Sequence, residues 1–159
     1  MIDEIERIDQ NKPGETPNGL HWIYSVKSNS DITVCLLHVL QVIKTIAKYS
    51  SDQWPTDAEW REILPDWFLE SLKSYTQEEA DLLLVSTPKE KWNELPWDFG
   101  SWLDAIRDRG WQWWSSKING EELEICLTIL EWPASLEAFE HIILSTGATL
   151  TSLTNLGEG

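Results

Sequence analysis

The fold of this chain is decided by WQWWSSKINGEELEICLTIL, the stretch that covers residues 111–130. Residues 111–117 are rich in aromatic side chains, as strands are, and Asn119-Gly120 is a dipeptide that type I′ hairpin turns favour. Apolar residues then alternate with others from 122 to 130, which places one side of the returning strand on a core. The apolar positions are Leu123, Ile125, Leu127 and Ile129. The stretch therefore predicts an antiparallel hairpin with one buried face.

The segments on either side of the hairpin predict two further strands and two core helices. Residues 21–26 (HWIYSV) are aromatic and β-branched, as in strands. The following run, to about residue 48, is apolar nearly all round, which indicates a helix covered on more than one side. Residues 134–146 form an amphipathic pattern, and 148–153 can form an edge strand. The order is βαββαβ, that of the split-βαβ arrangement.

Residues 56–109 predict a set of short helices inserted before the hairpin. At three predicted helix starts a Thr is followed by a Glu three positions later, so that each of the two side chains can accept a backbone N–H of the first turn. They begin at Thr56, Thr76 and Thr87. Pro65 divides the first helix, because the residue before a Pro resists helical geometry. A further helix is expected from about Asp98 to Arg109.

These patterns predict an α+β fold with a four-stranded, mostly antiparallel sheet. A chain of 159 residues has the usual size of one domain, and we expect a single domain over 1–159. Its segments are a polar N-terminal segment (1–19), a strand and buried helix (20–50), the helical insertion (56–109), and a hairpin, helix and edge strand (111–153).

The composition combines eleven Trp residues with a formal net charge of −15. Indoles are costly to leave in water and carboxylates are costly to bury, so the two classes must be segregated. Residues 51–100 alone hold twelve acids and four bases. Such a charge repels nucleic acid and anionic lipid and attracts basic partners. The alternative is that the carboxylates only keep a Trp-rich protein soluble.

The location predicted for the chain is the cytoplasm. Its N-terminus is acidic and lacks the layout of a signal peptide. The longest apolar stretch, 34–43, is interrupted and too short to span a bilayer. Cys35 and Cys126 both lie in apolar runs, which favours two reduced thiols in the core over a disulfide or a reactive Cys.

The candidate partner-binding residues are carboxylates of the insertion and two indoles of the hairpin. They are Glu59, Glu62, Asp66, Glu70, Glu78, Glu79, Asp81, Trp113 and Trp114. The first four form one acidic stripe if the helix continues through Pro65, and two staggered patches if it breaks there. They form either a surface for Lys and Arg or simply the solvated face of an amphipathic helix. The two indoles form either an exposed aromatic patch or part of a sheet covered on one side by core helices and on the other by the inserted helices.

Motifs that would indicate an enzyme are missing from the sequence. It has no Gly-x-Ser-x-Gly elbow, no phosphate-binding loop and no dinucleotide Gly-x-Gly-x-x-Gly pattern. The three His residues lack metal-type spacing, and abundant carboxylates alone cannot nominate an acid and a base. We therefore predict no catalytic residue, no cofactor and no metal.

Three segments resemble small immunity proteins of bacterial polymorphic-toxin systems. They are GSWLDAIRDRGWQWW (100–114), EWPASLEAF (131–139) and STGA (145–148). The resemblance spans about residues 55–150. It implies an acidic cytoplasmic protein that binds and neutralises a cognate toxin. It carries over no functional residue position by position.

The leading hypothesis is thus a stoichiometric inhibitor whose partner is a basic protein, a toxin domain, with no direct contact to nucleic acid or membrane. An alternative is a nucleic-acid mimic, in which carboxylates replace phosphates on a DNA-binding protein. A small enzyme and a sugar-binding module are further alternatives. Clustered Trp residues favour the inhibitor, because phosphate mimicry needs charge but no exposed aromatic rings.

Overall fold

The computed structural model describes residues 3–28, 30–49, 51–72, 76–94 and 97–156. Its helices are α1 (Glu4–Gln10), α2 (Ile32–Ala47), α3 (Asp57–Ile63), α4 (Asp66–Leu69), α5 (Gln77–Ser86), α6 (Phe99–Arg107) and α7 (Leu136–Ser145). Its strands are β1 (His21–Lys27), β2 (Trp111–Asn119), β3 (Glu122–Ile129) and β4 (Thr149–Leu156), and short 3₁₀ segments cover Ser51–Gln53 and Lys89–Glu94. The fold is α+β, as predicted.

The four strands form one antiparallel sheet in the order β2-β3-β1-β4. Because β1 and β2 are both antiparallel to β3, they run parallel to each other with β3 between them. β3 and β4 are likewise both antiparallel to β1, so they run parallel to each other with β1 between them. Each helical crossover thus joins parallel strands that are separated by one other strand. This order confirms the split-βαβ arrangement.

The hairpin of β2 and β3 forms as predicted, but its turn differs. Asn119 pairs with Glu122, so the two turn residues are Gly120 and Glu121. Gly120 has a φ of 62°, and Asn119 lies outside the positive-φ region. Type I′ needs positive φ at both turn residues, and Glu121, the second of them, does not have it. The turn is therefore of type II′, and the predicted type I′ turn is wrong. The apolar face is buried, fully at Leu123, Ile125 and Leu127 and partly at Ile129.

One face of the sheet packs against α2 and α7. The Phe139 ring of α7 lies 5.3 Å from the ring of Tyr24 and 5.2 Å from that of Trp111. The inserted helices α4 and α6 contact this helical layer: the Trp102 indole donates to the Ala138 carbonyl of α7 at 3.1 Å, and the Trp67 indole donates to Gln41 of α2 at 3.0 Å. The expected cover of the second sheet face by the inserted helices is therefore wrong. The N-terminal segment contacts that face instead, through the Ser115 hydroxyl, which donates to the Glu15 carbonyl.

The N-terminal segment also contains a helix that the sequence pattern did not predict. Asp3 caps α1 by accepting from the backbone N–H of Glu6 at 2.9 Å. Ile8 enters the hydrophobic core, and α1 lies along β2, which is an edge strand. A short helix with one buried side therefore replaces the expected polar loop over its first part.

The helical insertion matches most of its predicted boundaries. Capping boxes at Thr56 and Thr76 start α3 and α5, and Asp98 caps α6. Leu64 has an extended backbone before Pro65, so the first helix breaks there as predicted. The third predicted start is followed by a 3₁₀ segment, Lys89–Glu94, in place of an α-helix, and Thr87 is itself the C-cap of α5.

Candidate functional site

The four carboxylates of α3 and α4 are all exposed and form two groups. Glu59 and Glu62 lie on α3, Asp66 and Glu70 lie at α4 and its C-cap, and the break at Pro65 separates them. The structure therefore contains two staggered patches and excludes one continuous stripe. The pKa of Glu59 is lowered, because the backbone N–H and the side chain of Thr56 donate hydrogen bonds to its carboxylate.

Buried aromatic residues on the opposite side anchor α3 and α4. Trp60 is fully buried, with ring centroids of Tyr49 and Trp54 at 5.2 and 4.9 Å. Phe68 is also fully buried and lies 4.8 Å from the ring of Trp102. The acidic patches are thus presented on elements whose inner sides are fixed in the core.

Polar contacts fix α4 over the two core helices. The Trp67 indole donates to Gln41 Oε1 on α2 at 3.0 Å, and the Ser71 hydroxyl meets His141 Nε2 on α7 at 3.0 Å. The same hydroxyl donates its only proton to the Phe68 carbonyl at 2.6 Å. With that proton donated to the Phe68 carbonyl, the Ser71 oxygen can accept from His141 Nε2, which assigns the proton of the neutral ring to Nε2. Burial lowers the pKa of His141, which keeps its ring neutral.

Glu78, Glu79 and Asp81 are exposed on α5 and form a third acidic group. The N-terminus of α5 is closed by reciprocal hydrogen bonds of 3.1 Å between Thr76 and Glu79. Beyond these acids, α5 exposes large apolar side chains. Leu82 is 69% exposed, Leu84 43% and Val85 86%. The sequence pattern located the acids but did not distinguish these exposed residues from core leucines.

The two predicted indoles of β2 do not form an exposed patch. Trp113 has no exposed surface, so its assignment to a partner-binding surface is wrong for this conformation. The register shifts between Trp113 and Ser115, which makes Trp114 the extra residue of a bulge. Trp114 is half-buried, and the Arg7 guanidinium lies 4.6 Å from the centre of its ring. The cation occupies one ring face, which a sugar would need for stacking.

The ion pair of Glu4 with Arg109 is a structural feature that sequence reasoning missed. Arg109 Nη2 lies 2.6 Å from Glu4 Oε1, and Glu4 Oε2 accepts the backbone N–H of Trp113 at 2.8 Å. Glu4 thereby satisfies a backbone donor that an edge strand would otherwise leave open. The sequence signal was the cap Asp3 with apolar residues at positions 5 and 8, which are on one side of a helix.

Tyr24 and the two cysteines are buried titratable groups whose pKa values are raised. Tyr24 donates to Glu140 Oε2 at 3.0 Å, and burial together with this carboxylate raises the pKa of Tyr24. Burial raises the pKa of Cys126 to about 12, and Cys35 is likewise buried and has a raised pKa. Thiols with such pKa values are poor nucleophiles at neutral pH. Within the described part of the chain, no three His, Cys, Asp or Glu side chains are grouped so that they could hold a metal ion.

Comparisons of the chain with protein-family models, with curated proteins and with solved structures find no match. Across the residues that the structure describes, no helix has the length and apolar character needed to cross a membrane.

Proposed function

We propose that this chain is a stoichiometric binding protein that neutralises a basic bacterial toxin domain in the cytoplasm by covering part of its surface. The observation that carries the proposal is the exposure of all seven candidate carboxylates on α3, α4 and α5. On α3 and α4 they lie opposite fully buried anchors, Trp60 and Phe68. Charges on an ordered surface accelerate encounter with an oppositely charged partner and suppress wrong partners.

The nucleic-acid mimic remains the second candidate, and the apolar side chains of α5 favour the toxin inhibitor over it. Phosphate replacement needs regularly placed charge, whereas Leu82 and Val85 would face water in such a complex. A protein interface uses both features, with apolar residues at its centre and charged residues at its rim. The composition of α5 therefore supports a protein surface as the target.

The proposal is tested by reversing charge on α3 and α4. Glu62→Lys with Asp66→Lys should lower the association rate with the toxin domain that the proposal requires in a neighbouring reading frame by about tenfold at low salt, with little change in the dissociation rate. The ratio of the wild-type association rate to that of the variant should shrink between roughly 50 and 500 mM salt, because salt screens the surface charges. Stopped-flow mixing or surface plasmon resonance measures both rates.

A matched control is the pair Glu121→Lys with Glu131→Lys. It changes net charge by the same amount but places the change in the hairpin turn and after β3, at positions that are also exposed. Equal slowing by both pairs would mean that only net charge matters, and no slowing by the first pair would contradict the proposal. If bound duplex DNA leaves the partner in proportion to occupancy and the partner has no nuclease activity, the mimic explains the protein better.

A further inference from the structure

Helix α5 is the described helix that contributes least to the hydrophobic core. Within the described residues, no side chain of α5 is among the core side chains or the partly buried apolar side chains that pack on them. Leu82, Leu84 and Val85 are exposed by 69, 43 and 86%. Single exposed leucines are ordinary on soluble proteins, but three large apolar residues within four positions form a patch.

The exposed apolar residues of α5 lie on the outward side of its C-terminal half. Successive residues of a helix are rotated by about 100°, so Leu82, Leu84 and Val85 span an arc of about 160° around the axis, while Leu83 points to the opposite side and is partly buried. A flat partner surface could cover only part of them, whereas a groove could enclose most of them. Helices of ten residues are marginal in water without tertiary packing, so enclosure would also stabilise α5 itself.

Charge identifies the kind of partner that fits. Glu78 and Glu79 are exposed immediately before the apolar residues, and the whole chain carries a net charge of −15. A second copy of this chain or an anionic lipid surface would bring like charge to the same place. A groove rimmed by Lys and Arg would pair with these carboxylates while its floor covers the leucines.

We propose that α5 is the docking helix of this protein and inserts into an apolar groove, rimmed by Lys and Arg, on its protein partner. The inference rests on the proposed function and adds the recognition element and the partner's surface chemistry. Leu82 and Val85 are the anchors, because they have the most apolar surface to lose on binding. The acids of α5 pair with Lys and Arg at the rim of the groove and thereby set the orientation of the helix in it.

The test uses the full chain and, as probe, the purified toxin domain that the proposed function requires in a neighbouring reading frame. Leu82→Gln with Val85→Gln removes the anchors but keeps residues that favour a helix. Affinity should fall by about 100-fold, mainly through faster dissociation, as is typical when buried anchors are lost. The matched control is Leu37→Gln with Leu144→Gln, on α2 and α7, where the wild-type side chains are 59 and 52% exposed. That control should bind within about threefold of wild type.

The outcomes separate the docking helix from the proposed function. If the Leu82/Val85 variant binds within threefold of wild type while charge reversal on α3 and α4 slows association, α5 is not the docking helix and the proposed function stands. If the wild type fails to bind the toxin domain, the proposed function and the docking helix are both rejected. Light scattering tests whether α5 binds a second copy of this chain instead. If the wild type is a dimer and the Leu82→Gln/Val85→Gln variant is a monomer, α5 binds a second copy and is not the docking helix for the toxin domain. Circular dichroism confirms that all variants are folded.

Discussion

The buried ion pair of Glu4 with Arg109 gives the sharpest prediction about stability. The two side chains are 6 and 16% exposed, and their closest N···O distance is 2.6 Å. The second oxygen of Glu4 accepts the backbone N–H of Trp113 at 2.8 Å. A Glu4→Ala substitution therefore leaves a buried guanidinium without its counter-ion and an edge-strand N–H without its acceptor.

The expected cost follows from these two losses. Removing one partner of a buried ion pair costs about 3–5 kcal/mol, and a buried N–H without an acceptor costs about 1–3 kcal/mol. The two costs overlap, because water can enter the space that the side chain leaves, so we expect the free energy of unfolding to fall by about 4 kcal/mol. For a chain of this size the thermal midpoint should fall by about 10 °C. Urea unfolding followed by Trp fluorescence measures the change.

The control is an exposed ion pair between Asp9, on the same helix α1, and Lys44 on α2. Asp9 and Lys44 also approach to 2.6 Å, but their side chains are 53 and 41% exposed. Asp9→Ala should therefore cost less than about 0.5 kcal/mol. Glu4→Gln keeps an acceptor for the Trp113 N–H, so its cost in unfolding free energy should lie between those of Glu4→Ala and Asp9→Ala. A cost for Glu4→Ala no larger than that for Asp9→Ala would refute the reasoning that burial gives this pair its strength.

Two further predictions concern pH. Partial burial raises the pKa of Glu140, so its contribution to stability is present at acid pH and lost as pH rises through the raised value. Glu140→Gln still accepts the hydrogen bond from Tyr24. Its free energy of unfolding should exceed that of the wild type by about 0.5 kcal/mol at pH 7 and equal it near pH 4. A variant less stable than the wild type at pH 7 would contradict this. Burial lowers the pKa of His141, so the protein should lose stability as pH falls below about 6.5, where the unfolded chain takes up the proton first. Between pH 7 and 5 this loss in the free energy of unfolding should be under about 1 kcal/mol, and His141→Gln, which can still donate to Ser71, should abolish it. If urea unfolding of the variant shows the same dependence on pH as the wild type, His141 is not the cause.

Local chemistry made much of the fold predictable from the sequence. The alternation in β3, the capping boxes at Thr56 and Thr76, and the break at Pro65 each depend on residues within a few positions of one another. Such patterns act through backbone geometry and nearby hydrogen bonds, which the neighbouring residues set. The exposed carboxylates of the insertion were predictable for the same reason, since charged side chains on an amphipathic helix face water.

Tertiary packing decided which of the chemically similar residues are covered. Trp113 and Trp114 are adjacent, yet a bulge and the arrival of α1 bury the first fully and place Arg7 over the second. Glu4 became a buried partner because Arg109, 105 residues away, meets it at the sheet edge. Leu82 and Leu84 of α5 are residues of the kind that form the core and are nevertheless exposed. Burial depends on which distant segments arrive at a residue, and no pattern within a few positions of the chain contains that information.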